Sequence, residues 1–129
     1  MQTSIRLLLA GALLMSNAVS AATFSDAQIC RAGIATNNGH AAKPVIVTST
    51  TGRQVEVSYV RPSDKKTFRF RCSIEDSEIL WQDEYIGRWS QNLRLFYRVD
   101  STGKTLEVRS VIKGEENNPT IRKFTLQDL

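Results

Sequence analysis

A change of period near Val45 constrains this chain more than any other feature. From there onward, apolar and polar residues alternate in short runs separated by turn-forming residues. Strands satisfy that pattern because successive side chains leave a strand on opposite faces. The runs cover residues 45–50, 54–60, 67–74, 78–82, 94–99, 105–112 and 120–126. Thr51-Gly52, Pro62-Ser63-Asp64-Lys65, Asp100-Ser101-Thr102-Gly103 and the polar stretch 114–119 are turn sequences between them. Connections this short join antiparallel neighbours, so the spacing predicts a β-meander.

The alternation also assigns faces. Val55, Val57 and Tyr59 share one side of their strand, and Phe68, Phe70, Cys72 and Ile74 share one side of the next, opposite Arg69, Arg71 and Ser73. Leu95, Tyr97 and Val99 are expected to face Leu106, Val108 and Ile112 in the core, with Ser110 the weak member. The 78–82 run, with Ile79, Leu80 and Trp81, leaves its inward face open. Residues 83–92 have no clean period and are expected to form a loop whose Trp89 covers one end of the core.

Before this region lies one helical signal. Ser25-Asp26-Ala27-Gln28 fits a capping box, Phe24 and Ile29 stand at hydrophobic-staple positions, and Asp26 suits the positive end of the helix dipole. Ala27, Cys30 and Ile34 fall on one face, with Arg31 pointing elsewhere. Asn37-Asn38-Gly39 tolerates positive φ and ends the helix, and Pro44 blocks continuation. The fold class expected is α+β: an N-terminal helix packed on a curved antiparallel β-meander, or a partly closed small barrel, of about seven strands.

Cys30 and Cys72 are the chain's two cysteines. The first lies on the buried face of the helix and the second on the apolar face of a strand, so a disulfide between them staples helix to sheet. The chain-entropy model assigns such a loop closure about 4 kcal/mol. That expectation rests on compartment. Arg6, the apolar run 7–15 and the tract Asn17-Ala18-Val19-Ser20-Ala21 read as a secretory signal peptide over residues 1–21, which leaves residues 22–129 as one disulfide-stapled domain. The apolar run is about half the ~20 residues of a membrane span, so no transmembrane anchor is expected after processing, and the product is periplasmic or secreted.

Candidate chemistry is sparse. The charge is mildly basic, +4 from 17 basic and 13 acidic side chains, well short of a concentrated nucleic-acid footprint, and no nucleic-acid partner is expected. His40 is the single histidine, placed in a loop and read as solvated, so no histidine-activated nucleophile is assigned. Metal-ligand runs and glycine-rich phosphate loops are absent, so neither metal nor cofactor is expected. The best place for a carboxylate pair is Asp83-Glu84 beside Trp81, Tyr85 and Trp89, where rings stack a sugar while acids act.

A surface argument remains. The alternation that turns Leu95, Tyr97 and Val99 inward turns Arg94, Phe96 and Arg98 outward, an aromatic ring between two guanidiniums. The adjacent strand adds Glu107, Arg109 and Val111, and Arg69 and Arg71 take the outward side of another. Arg94, Phe96, Arg98, Arg109, Arg69 and Arg71 are therefore the expected binding residues, suited to an acidic protein surface or an anionic envelope polymer.

The function expected is an exported, non-enzymatic binding protein of the bacterial cell envelope, of inhibitor or immunity type, acting on a protein partner. One alternative is an anionic-polymer or glycan binder, and another a small envelope hydrolase using Asp83 and Glu84. In leader, size and single disulfide, such a β-rich domain resembles the bacterial lysozyme inhibitors. The resemblance is architectural, without a motif matched residue by residue. The basic charge departs from it because lysozyme is itself usually basic, so that family is not assigned. Partner and oligomeric state are not legible from the residues.

Overall fold

The computed structural model describes residues 24–129, and the leader assigned to residues 1–21 lies outside the described residues. Helix α1 (Asp26–Asn38) leads into β1 (Ile46–Thr51), β2 (Gln54–Val60), β3 (Thr67–Ile74), β4 (Glu78–Asp83), β5 (Leu93–Val99), β6 (Leu106–Ile112) and β7 (Thr120–Phe124), with a closing 3-10 turn at Leu126–Asp128. The seven strands follow chain order and pair antiparallel throughout. β1 and β7 are separate edges, so the sheet is an open meander and the barrel alternative is not realised.

The start of α1 follows its sequence signal. Gln28 N–H donates to Ser25 Oγ at 3.1 Å, and Ser25 N–H donates to Gln28 Oε1 at 2.9 Å, which completes the capping box. Phe24 and Ile29 are both buried, as a staple requires. At the other end Gly39 adopts φ 75°, and its N–H donates to the Ala35 carbonyl at 2.8 Å.

One face of the sheet buries Val55, Val57, Phe70, Cys72, Ile74, Ile79, Leu95, Leu106, Val108 and Phe124 against Ile29, Cys30, Ala32, Ile34 and Ala35 of the helix. Ile79 settles the open orientation of β4: Ile79 and Trp81 face the core. Cys30 and Cys72 are bonded and fully buried, with Cα atoms 5.8 Å apart. A buried staple of this kind fits an oxidising, extracytoplasmic environment. Among the described residues no helix is long and apolar enough to cross a membrane.

Several local expectations are corrected. Val99 and Ile112 keep the core parity but are exposed, because they lie at strand ends, while Ser110 is buried on the core face as its parity requires. Arg31 lies off the packed helix face as expected, but it is half-buried: its guanidinium donates to the main-chain oxygens of Val45 at 2.8 Å, Leu129 at 2.9 Å and Ala42 at 3.1 Å, tying the helix to the connection and to the final turn. Arg122 on β7 does the same at the helix end, donating to Ala35 at 3.1 Å and His40 at 2.8 Å. The last strand stops at Phe124, two residues early, where Thr125 caps the 3-10 turn and donates its N–H to the Asp128 carboxylate. Trp89 does not cap the core. It is exposed, and Trp81 packs there instead, its indole N–H donating to the Leu93 carbonyl at 3.0 Å.

Candidate functional site

The antiparallel register brings most of the outward-facing residues together. Phe96 stands opposite Glu78 on β4 and Arg109 on β6, and Arg109 stands opposite Ile121 on β7, which makes one row across four strands. Arg94 pairs with Val111, and Arg98 with Glu107, in the flanking rows. Phe96 is half-buried, its ring covered by the guanidiniums of Arg94 at 4.9 Å and Arg109 at 5.7 Å. Arg69 and Arg71 share this face but lie on β3, so β4 separates them from the Arg94–Phe96 cluster.

Charges on this face are largely paired. Arg94 makes a two-pronged contact with Glu78 at 2.9 and 2.7 Å, and that carboxylate raises the guanidinium pKa above its ordinary value. Arg98 contacts both oxygens of Glu107 at 3.1 and 3.3 Å, and Arg71 reaches Glu56 at 3.1 Å. Arg69 and Arg109 have no carboxylate partner among the described residues. Cross-strand ion pairs therefore occupy three of the five arginine forks on this face that an anionic polymer would need.

The strongest recognition feature is one the periodicity did not single out. The loop between β4 and β5 carries Tyr85 at 98% exposure, Ile86 at 63% and Trp89 at 36%, with Arg88 between them. Its ends are braced. Asp83 accepts from Tyr85 N–H through Oδ1 at 2.8 Å and from Ile86 and Gly87 N–H through its main-chain oxygen at 3.0 and 2.9 Å. Gly87 takes φ 75°, the left-handed region open to glycine. Ser90 N–H then donates to the Trp81 carbonyl at 2.8 Å, returning the chain to the sheet.

Two shallow hollows connect this loop to the arginine face. Ile86, Arg88, Trp89, Gln91 and Asn92 line one, and Gln91, Asn92, Arg94, Phe96 and Arg109 line the next. The signal in the chain was the bulky, non-periodic segment Tyr85-Ile86-Gly87-Arg88-Trp89. Such residues in a loop are either tucked under it or presented by it, and alternation cannot decide which.

Asp83 and Glu84, the candidate carboxylates, border a hollow of about 420 Å³ with Lys66, Phe68, Arg69, Tyr85 and Ile86. Glu84 is exposed, and one oxygen of Asp83 is engaged by the loop. His40 is not a solvated loop residue. Its ring stacks on Tyr59 with centroids 3.8 Å apart and 13° between planes, because the turn after Gly39 folds it back onto β2. No protein-family model, curated protein or solved structure matches the chain.

Proposed function

We propose that this chain is an exported, non-enzymatic binding protein of the bacterial cell envelope that docks a protein partner in the manner of an inhibitor or immunity protein. The observation that carries this reading is the braced β4–β5 loop, which presents Tyr85, Ile86, Arg88 and Trp89 to solvent. Tyr, Trp and Arg are the residue types that dominate binding energy at protein interfaces, and a loop fixed at both ends loses little entropy on docking. The Arg94–Phe96–Arg98–Arg109 face extends the surface, so the contact area includes apolar anchors with a charged rim. The polymer reading has less support, because Glu78, Glu107 and Glu56 already hold Arg94, Arg98 and Arg71.

The test immobilises oxidised residues 22–129 and passes envelope extract over the parent and two variants. One variant carries Tyr85→Ala with Trp89→Ala, and the other carries Arg94→Ala, Phe96→Ala and Arg98→Ala. A discrete protein retained by the parent and lost by the loop variant, with purified-partner affinity reduced at least about tenfold, is the expected outcome. Polymer released by moderate salt and lost only by the arginine variant replaces the reading with the polymer one. Equal retention by all three forms removes both surfaces, and retention of nothing removes the protein-partner reading under those conditions.

A further inference from the structure

At the C-terminal end of α1, the ends of β2, β3 and β4 leave a cleft of about 380 Å³ on the inner face. That size lies within the ~300–1,000 Å³ range of small-molecule sites. Its walls are mostly rings. Tyr59, Phe68, Phe70 and Trp81 come from the three strands, and His40 closes against Tyr59. The bond from Trp81 Nε1 to Leu93 fixes the indole and leaves its ring as apolar surface, tilted 57° to Phe70 at 6.3 Å between centroids.

Two polar atoms at this apolar wall have no partner among the described residues. Asp83 joins the inner face because it stands opposite Phe70 across β3 and β4. Tyr85 N–H occupies its Oδ1, and Oδ2 has no partner among the described residues. His40 Nδ1 lies 2.8 Å from the Ala41 carbonyl. A carbonyl only accepts, so Nδ1 donates in this contact. The ring's Nε2 is buried without a partner. Asn38 supplies an amide at the rim.

Rings flanked by a carboxylate acceptor select a ligand with apolar C–H faces and O–H or N–H donors at its edge. A pyranose ring has that chemistry. We propose that this cleft binds a saccharide residue, with the rings taking its C–H faces, and Asp83 accepting from its hydroxyl or amide hydrogens. A cationic ligand fits less well, since Arg61 lines the cleft and with Lys66 already covers the Phe68 ring, at 5.0 and 5.2 Å. The inference goes beyond the protein-binding reading and does not depend on it, because Tyr85 and Trp89 do not line this cleft.

The experiment titrates isotope-labelled, oxidised residues 22–129 with tetra-N-acetylchitotetraose and, separately, cellotetraose, following the amide signals of Asn38, His40 and Phe68 and the indole signal of Trp81. Asp83→Asn keeps an oxygen for Tyr85 N–H but removes the charge, and Tyr59→Leu keeps the cleft apolar but removes a ring. Unfolding midpoints verify that both variants are folded. Saturable shifts at these four residues with at least one oligosaccharide, weakened about tenfold by Asp83→Asn and reduced by Tyr59→Leu, are expected. No shift from either oligosaccharide at about 10 mM overturns the proposal. So do shifts centred elsewhere, unchanged binding by both variants, or saturation by choline chloride where neither oligosaccharide binds.

Discussion

Gly33 of α1 lies directly on Ile79 of β4: a Cβ built on the glycine would stand 2.8 Å from the isoleucine Cδ1 and 3.5 Å from Leu95 Cδ1. The missing side chain lets the helix backbone settle close to the sheet. Alanine there gains about 1 kcal/mol of helix propensity, while crowding a packed core costs about 1–3 kcal/mol. The obstructing atom is the end of a side chain, which places the crowding cost near its lower limit. Gly33→Ala is therefore expected to change stability by less than about 1.5 kcal/mol, and Gly33→Val to destabilise by more. Ile79→Val removes the obstructing methyl. Urea unfolding of the two single variants and the double is expected to show the Gly33→Ala and Ile79→Val pair more stable than their sum predicts. Strict additivity would show that the contact is not the constraint.

The Cys30–Cys72 bond joins the middle of α1 to the middle of β3 across 42 positions. A cross-link of that span removes loop entropy from the unfolded chain worth about 4 kcal/mol, a large fraction of the ~5–15 kcal/mol available to a domain. Double substitution to alanine is expected to lower the unfolding free energy by about 2–5 kcal/mol. Measuring urea midpoints of the parent with and without reductant checks this without changing the sequence. A midpoint indifferent to complete reduction would remove the staple from the account of stability.

The elements legible in the chain are those whose signals are local. Ser25 and Gln28 cap α1, Gly39 ends it, and Phe70, Cys72 and Ile74 reach the core by simple alternation. Short turns between successive strands also made the meander legible. The misread residues depend on contacts remote in sequence. Arg31 reads only as lying off the packed helix face until Val45 and Leu129 arrive beside it, and His40 looks solvated until Tyr59 stacks on it. Outward placement of Arg94, Phe96 and Arg98 followed from parity, but their pairing with Glu78 and Glu107 required the strand register. Trp89 shows the remaining gap: apolar character alone does not say whether a loop hides or displays a ring.

Acid is expected to weaken the fold through carboxylates bound in turns. The Arg61 guanidinium and then the Lys66 N–H hold the Asp64 carboxyl well below its ordinary value, Thr125 N–H and hydroxyl lower Asp128, and Gly114 N–H lowers Glu116. A carboxylate whose folded pKa is depressed contributes stability above its unfolded value, about 3.9 for Asp and 4.3 for Glu. That contribution disappears as pH falls through the folded value. Urea midpoints should therefore vary little from these groups above about pH 5 and fall below about pH 4. Asp64→Asn with Asp128→Asn is expected to lower the midpoint at neutral pH and to flatten the acid limb. An acid limb as steep as the parent's would count against these two turns as its source.

Tyr85 and Trp89 separate stability from recognition. Both are exposed and neither belongs to the core, so Tyr85→Ala and Trp89→Ala are each expected to change the unfolding free energy by no more than about 0.5 kcal/mol. The proposed interface loses its aromatic anchors in the same variants, and partner affinity is expected to drop at least about tenfold for each. Gly87→Ala supplies an independent check, since it keeps both rings but strains a position at φ 75°. It is expected to weaken binding by redirecting the loop while the sheet signals in NMR spectra stay in place. If binding persists through both ring deletions while Arg94→Ala with Arg98→Ala abolishes it, the contact belongs to the arginine face of β5, and the loop is only its neighbour.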